Sequence, residues 1–268
     1  MKQLAVNIFK FYIFINIHVA LSVVALYLIF NPDYNAKYLG FLFFSSIAGY
    51  NFIRFFNFRG NRFFIKKFIA KYKFPVFTSI LLSILLSLYF YLQLDFITQV
   101  ALLPFLLMSF FYNYNYKYAP FFKLRNNGIV KILSVAIVWS GLVILVPASE
   151  RGMLEFHHFL KFIWVCFYVL MLTLSFDQRD LYIDDSELRT IPQLYGEKLA
   201  TIYVLITLVL SVLSLYIFDG KKLFTGLIIL IISAFAGYHS NEDKSYYYTA
   251  FWIEALPVFW LLFIHFIA

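Results

Sequence analysis

Residues 199–218 read LATIYVLITLVLSVLSLYIF, twenty positions without a charge, a proline or a glycine. A run of about 20 apolar residues is what a helix needs to cross a hydrocarbon core. A helix satisfies its own backbone hydrogen bonds there, which an isolated strand cannot do. A membrane barrel would instead show alternating segments of about ten residues. This run is continuous, so it predicts a membrane-spanning helix.

Working outward, similar stretches recur on both sides. Apolar spans are expected at 7–30, 38–56, 75–93, 96–112, 129–147, 157–176, 199–218, 222–238 and 249–268. The turn between the third and fourth must be tight, because Asp95 is the only charge between them. Composition agrees: 63% of residues are hydrophobic and 13% charged. Soluble domains carry roughly 45–50% apolar and about 25% charged residues, and this chain would lack the polar surface to cover itself in water. The expected fold class is therefore all-α, a polytopic membrane protein of nine transmembrane helices forming one domain over 1–268. The first span reads as retained rather than as a removed signal peptide, since no small-residue cleavage site comes after it. Cys166 is the single cysteine, so no disulfide forms within the chain.

The distribution of Lys and Arg orients these spans. With nine spans, 17 of the 22 basic residues fall at the N-terminus and in the even loops, and 5 fall on the other side. Basic loops stay cytoplasmic. The N-terminus is thus expected in the cytoplasm and the C-terminus outside, in a membrane such as the bacterial inner membrane. The net charge of +8 is then an orientation signal. No nucleic-acid partner is expected, and the bilayer itself is the first partner. The tyrosines at span ends, such as Tyr112, Tyr114, Tyr116 and Tyr118, read as interfacial anchors.

Against this basic background, six of the 14 acidic residues lie between Asp177 and Glu197. Asp177, Asp180 and Asp184 are spaced in steps of three and four, which on a helix continuing from the sixth span share one face. Carboxylates so close repel one another, and a cation between them relieves it. Hard divalent ions prefer such oxygen ligands, and Mg²⁺ bridges carboxylates to phosphate groups. A solvated acidic loop neutralised by Arg179 and Arg189 is the alternative.

The segment 175–200, SFDQRDLYIDDSELRTIPQLYGEKLA, resembles the second aspartate-rich motif of the UbiA-type intramembrane prenyltransferases. The matching positions are Asp177, Asp180, Asp184, Thr190, Ile191, Pro192 and Gly196. The segment 123–139, KLRNNGIVKILSVAIVW, looks like the family's basic stretch entering its fifth helix. The resemblance implies nine helices with aspartate-rich cytoplasmic loops after the second and sixth. It implies an enzyme that transfers an isoprenoid group from a polyprenyl diphosphate to an aromatic or lipid-soluble acceptor. Asp177, Asp180 and Asp184 would be the catalytic residues and would carry Mg²⁺, which neutralises the leaving diphosphate. Lys123, Arg125 and Lys131 would contact phosphate.

The chain departs from the family at the first motif, where carboxylates are expected after the second span. Residues 50–60 read YNFIRFFNFRG, and no acid occurs from Lys37 to Leu94. Asn51 keeps the leading Asn, while Phe52, Phe55 and Arg59 replace acids. Two readings are open. In one, Arg54 and its basic neighbours bind diphosphate directly, with Asn51 also in the substrate site, and one Mg²⁺ on the second motif suffices, Arg being suited to bidentate phosphate contacts. In the other, donor ionisation is lost and the protein is a catalytically altered relative that binds lipid or a membrane partner.

Overall fold

The computed structural model describes residues 2–56, 63–113, 127–152 and 154–266, with side chains given for all of these except 2, 53–56, 63–66 and 113. The described residues are helical throughout, with no strand among them. They fall into two compact units, 1–95 and 96–268.

The first unit begins with a broken helix. Helices α1 (Lys2–Phe14) and α2 (Ile17–Phe30) are bent by 57°. At the break Asn16 adopts φ 62°, a left-handed conformation that Asn tolerates better than most residues. Helix α3 (Ala36–Phe56) repairs the exposed backbone. The Asn51 amide donates to Ile15 O at 2.7 Å and to Ile47 O at 2.8 Å, while its oxygen accepts from Asn16 Nδ2 at 3.1 Å. Non-helical backbone survives at membrane depth only when neighbours bond it in this way. A short helix α4 (Phe63–Lys71) then leads into α5 (Lys73–Leu92). The Phe90 ring of α5 fills the space over Gly40, where an added Cβ would meet it at 2.8 Å, so α3 and α5 pack closely.

The second unit opens with α6 (Phe96–Asn113). Helix α7 (Gly128–Ser140), a π-helical turn at Gly141–Leu145 and α8 (Val146–Glu150) run on as a 23-residue segment. The Phe105 ring of α6 occupies the position that a Cβ on Gly141 would take, so the π turn sits where another helix presses in. Next come α9 (Phe156–Arg179), α10 (Ile191–Tyr195), α11 (Leu199–Ile217) and α12 (Gly220–Tyr238). A second π turn, Tyr248–Ile253, precedes α13 (Leu256–Phe266). The core is aromatic. Trp164 packs on Tyr168, Phe218 and Trp260 with ring centres 5.2–5.5 Å apart. The indole N–H groups of Trp164 and Trp260 find acceptors, Ser214 Oγ at 2.9 Å and Thr225 Oγ1 at 3.2 Å.

Six helical segments are long and apolar enough to cross a membrane: Lys73–Leu92, Gly128–Glu150, Phe156–Arg179, Ile191–Ile217, Gly220–Tyr238 and Tyr248–Phe266. The bent pair at the N-terminus makes a seventh if counted as one span. Helix Phe96–Tyr112 is apolar but shorter. The burial pattern supports a lipid environment. Only 11% of the apolar window in Lys73–Leu92 is covered by protein, and 17% of that in Ile191–Ile217. Leu208, Val212, Leu215 and Tyr216 all face outward. In water such a surface would aggregate, whereas acyl chains accept it. The protein is a polytopic helical membrane protein.

Candidate functional site

The acidic segment is assembled by α7 and α9. Asn127 caps α7, its side chain accepting from Ile129 N at 3.0 Å and Val130 N at 3.2 Å. This sets Lys131 in the first turn of the helix, with its own N–H bonded to Asn127 O. At Gly128, directly after the cap, a Cβ would lie 2.5 Å from Thr190 Cα. Only glycine lets the loop backbone pass so close to the start of α7. The acidic loop therefore lies across the end of α7, and Lys131 points into it.

Lys131 Nζ donates to Asp177 Oδ1 at 2.6 Å and to Asp184 Oδ2 at 3.3 Å. Asp177 is buried in the last turn of α9. Its second oxygen, Oδ2, is buried with no hydrogen-bond partner among the described residues. Asp180 turns elsewhere. Helix α9 ends at Arg179, so Asp180 is a C-cap and the chain turns at once, with Asp184 N bonded to Asp180 O at 2.8 Å. The sequence expectation that a continued helix would carry all three aspartates on one face thus fails at the cap. Arg179 grips Asp180 in a fork, Nε to Oδ1 at 2.8 Å and Nη2 to Oδ2 at 2.9 Å. The guanidinium also donates to Thr249 Oγ1 and lies over the Phe176 and Tyr246 rings at 5.2 and 4.9 Å. Both members of this pair are buried.

The outer part of the loop is tied by Gln193. Its side chain accepts from Thr190 N at 2.9 Å and donates to Asp185 O at 3.2 Å. Pro192 fits the first turn of α10, where a missing N–H costs nothing. Arg189 holds φ 50°, a rare conformation for a long side chain, and it is exposed. Leu181, Tyr182, Asp184, Arg189, Pro192 and Leu194 line an open depression of about 700 Å³ beside the aspartates.

Two of the three carboxylates expected to carry Mg²⁺ are thus bridged by a lysine, and the third is paired with an arginine. Among the described residues no three acidic, His or Cys side chains are grouped to hold a metal. Lys131, expected to reach phosphate, instead neutralises two acids. Asn51 lies in the first unit with its amide spent on backbone carbonyls and Asn16. Arg54 lies on α3, but its side chain is outside the described residues, as are Lys123 and Arg125 entirely.

Sequence reasoning counted Arg179 as a loop charge and missed its buried role. The adjacent Arg179 and Asp180 at a span end were the available signal. Gly128 was also missed, although a glycine directly after an Asn cap and before an apolar run hints at close backbone contact. No family model matches this chain, and neither a curated protein nor a solved structure matches it.

Proposed function

We propose that this chain is a UbiA-like membrane protein, altered at its ion site, that binds an isoprenoid lipid without ionising a polyprenyl diphosphate. The reading rests on one observation, the Lys131 ammonium held between Asp177 and Asp184. A protonated lysine supplies the positive charge that a metal would bring to these carboxylates. Together with the Arg179–Asp180 fork it commits the two buried cations of this segment to carboxylates. The missing carboxylates after the second span point the same way. The likeness of segment 175–200 to the family supplies the isoprenoid class of ligand. Within this proposal the chain has nine spans, with the N-terminus cytoplasmic and the C-terminus outside, in a bacterial inner membrane.

A second reading, a Mg²⁺-dependent prenyltransferase, is favoured by the buried Asp177 Oδ2 that has no hydrogen-bond partner among the described residues. A cation would satisfy it. In that case Lys131 would leave the acids for the diphosphate.

The two readings separate in one experiment. Detergent-purified protein is titrated with polyprenols and polyprenyl diphosphates of several lengths, with and without Mg²⁺, and free diphosphate is measured. The altered reading expects saturable binding of the polyprenyl chain that Mg²⁺ does not strengthen, and no diphosphate release with aromatic or lipid acceptors. Binding that requires Mg²⁺, is abolished by Asp180→Asn and ends in diphosphate release overturns it. No saturable binding of any isoprenoid overturns both readings.

A further inference from the structure

Helix α4 and the start of α5 carry charge that no acid among the described residues answers. Lys67, Lys71 and Lys73 are exposed. Lys67 and Lys71 are one turn apart and share a face. The flank beside that face is anchored, since Phe68 is buried against Phe14 and Tyr72 with ring centres 4.9 and 4.8 Å apart. None of the three lysines pairs with a carboxylate among the described residues, and residues 37–94 contain no acid at all. The same link of sequence adds Arg54, Arg59, Arg62 and Lys66.

The place of α4 is fixed by its junction with α5. Only Tyr72 separates the two helices, and helical bonding carries through, from Tyr72 N to Phe68 O and from Val76 N to Tyr72 O, both at 3.0 Å. Lys73–Leu92 is long and apolar enough to be a membrane span. Its first residues therefore stand at the edge of the hydrocarbon, with Phe74 79% and Phe77 57% exposed to reach into it. A basic helix pinned there faces lipid phosphates rather than bulk water.

We propose that Lys67, Lys71 and Lys73 form a binding surface for the headgroups of anionic phospholipids. The lysine ammoniums meet the phosphates while Phe74 and Phe77 enter the acyl region beneath them. The surface belongs to the first unit and does not depend on the Lys131 site.

The test reconstitutes the full chain in vesicles of equal phosphatidylcholine and phosphatidylglycerol, extracts it gently and counts retained lipids by native mass spectrometry. The wild type is expected to retain phosphatidylglycerol in preference. The triple variant K67Q/K71Q/K73Q should lose that preference by about fivefold per lysine removed. The triple arginine variant should keep it, and K221Q should leave it unchanged. Unfolding temperature of each variant shows that the fold is kept. Equal retention of the two lipids by wild type, or an unchanged preference in the glutamine variant, overturns the proposal. So does full displacement of phosphatidylglycerol by inorganic phosphate at constant ionic strength, which would make the surface a site for the free ion.

Discussion

The Lys131 ammonium lies 2.6 Å from Asp177 Oδ1, joining residues 46 positions apart in the chain. It ties the start of α7 to the end of α9 within the second unit. One contact therefore fixes both the loop and the charge state that any ligand there would meet.

That pair is expected to be coupled. Breaking a buried ion pair from one side leaves an uncompensated charge and costs several kcal/mol. The Lys131 side chain is 19% exposed, which softens the effect. Lys131→Met should destabilise by about 2 kcal/mol. Asp177→Asn added to it should recover part of the loss, because no lone charge remains. Thermal unfolding in detergent, followed by tryptophan fluorescence, reads this. Strictly additive losses would show that the contact contributes nothing.

Removing the lysine should also create the metal site that the acids alone suggest. Lys131→Met leaves Asp177 and Asp184 facing one another without a cation. Mn²⁺ accepts such oxygen ligands and reports by electron paramagnetic resonance. Wild type should leave added Mn²⁺ free, and the variant should bind it. Saturable binding by wild type that Asp177→Asn removes would return the site to the transferase reading.

Gly128→Ala should be severe for its size. The new methyl would meet Thr190 Cα at 2.5 Å, and backbone cannot step aside as a side chain can. Overpacking of this kind costs roughly 1–3 kcal/mol. Gly196→Ala, with nothing within 4 Å, is the matched control. Hydrogen exchange over 184–195 should rise in the first variant and stay as in wild type in the second.

Arg179→Lys is not a conservative change here. Lysine keeps the charge but loses the planar fork that bonds both Asp180 oxygens and Thr249 together. The expected result is a lower unfolding temperature and faster hydrogen exchange in Tyr248–Ile253, the turn that holds Thr249. Protection equal to wild type would mean that the turn stands without the arginine.

Asn51→Leu tests the break at Asn16. It removes the donor to Ile15 O and the acceptor for Asn16 Nδ2. Unsatisfied buried groups cost about 1–3 kcal/mol. The loss should appear in thermal unfolding, while Asn7→Leu, on the partly exposed outer segment, should have little effect.

Apolar run length made several of the spans legible, because lipid asks for continuous hydrophobicity whatever the neighbours are, but six or seven of the nine expected pass as spans among the described residues. Leu199–Ile217 and Gly220–Tyr238 fall almost where the sequence puts them. The bend at Asn16 was not legible. It depends on Asn51, 35 residues away, whose amide has no local signature. The acids at 177–184 were visible as a cluster, but their directions were not. Those were decided by where α9 stops and by two cations, one adjacent in sequence and one brought in by a separate helix. Spacing encodes faces only while the helix continues, and here it ends between the first aspartate and the second.

The π turn at Gly141–Leu145 carries one residue more than an α turn spanning the same rise. A related chain lacking that single residue would run through the bilayer as an ordinary α-helix, with both ends still meeting their neighbours in phase. Comparing two such chains would place a gap in mid-membrane, where gaps are usually penalised most heavily. Kinship would then be scored as misalignment, so profiles built for this fold should allow a deletion inside that helix.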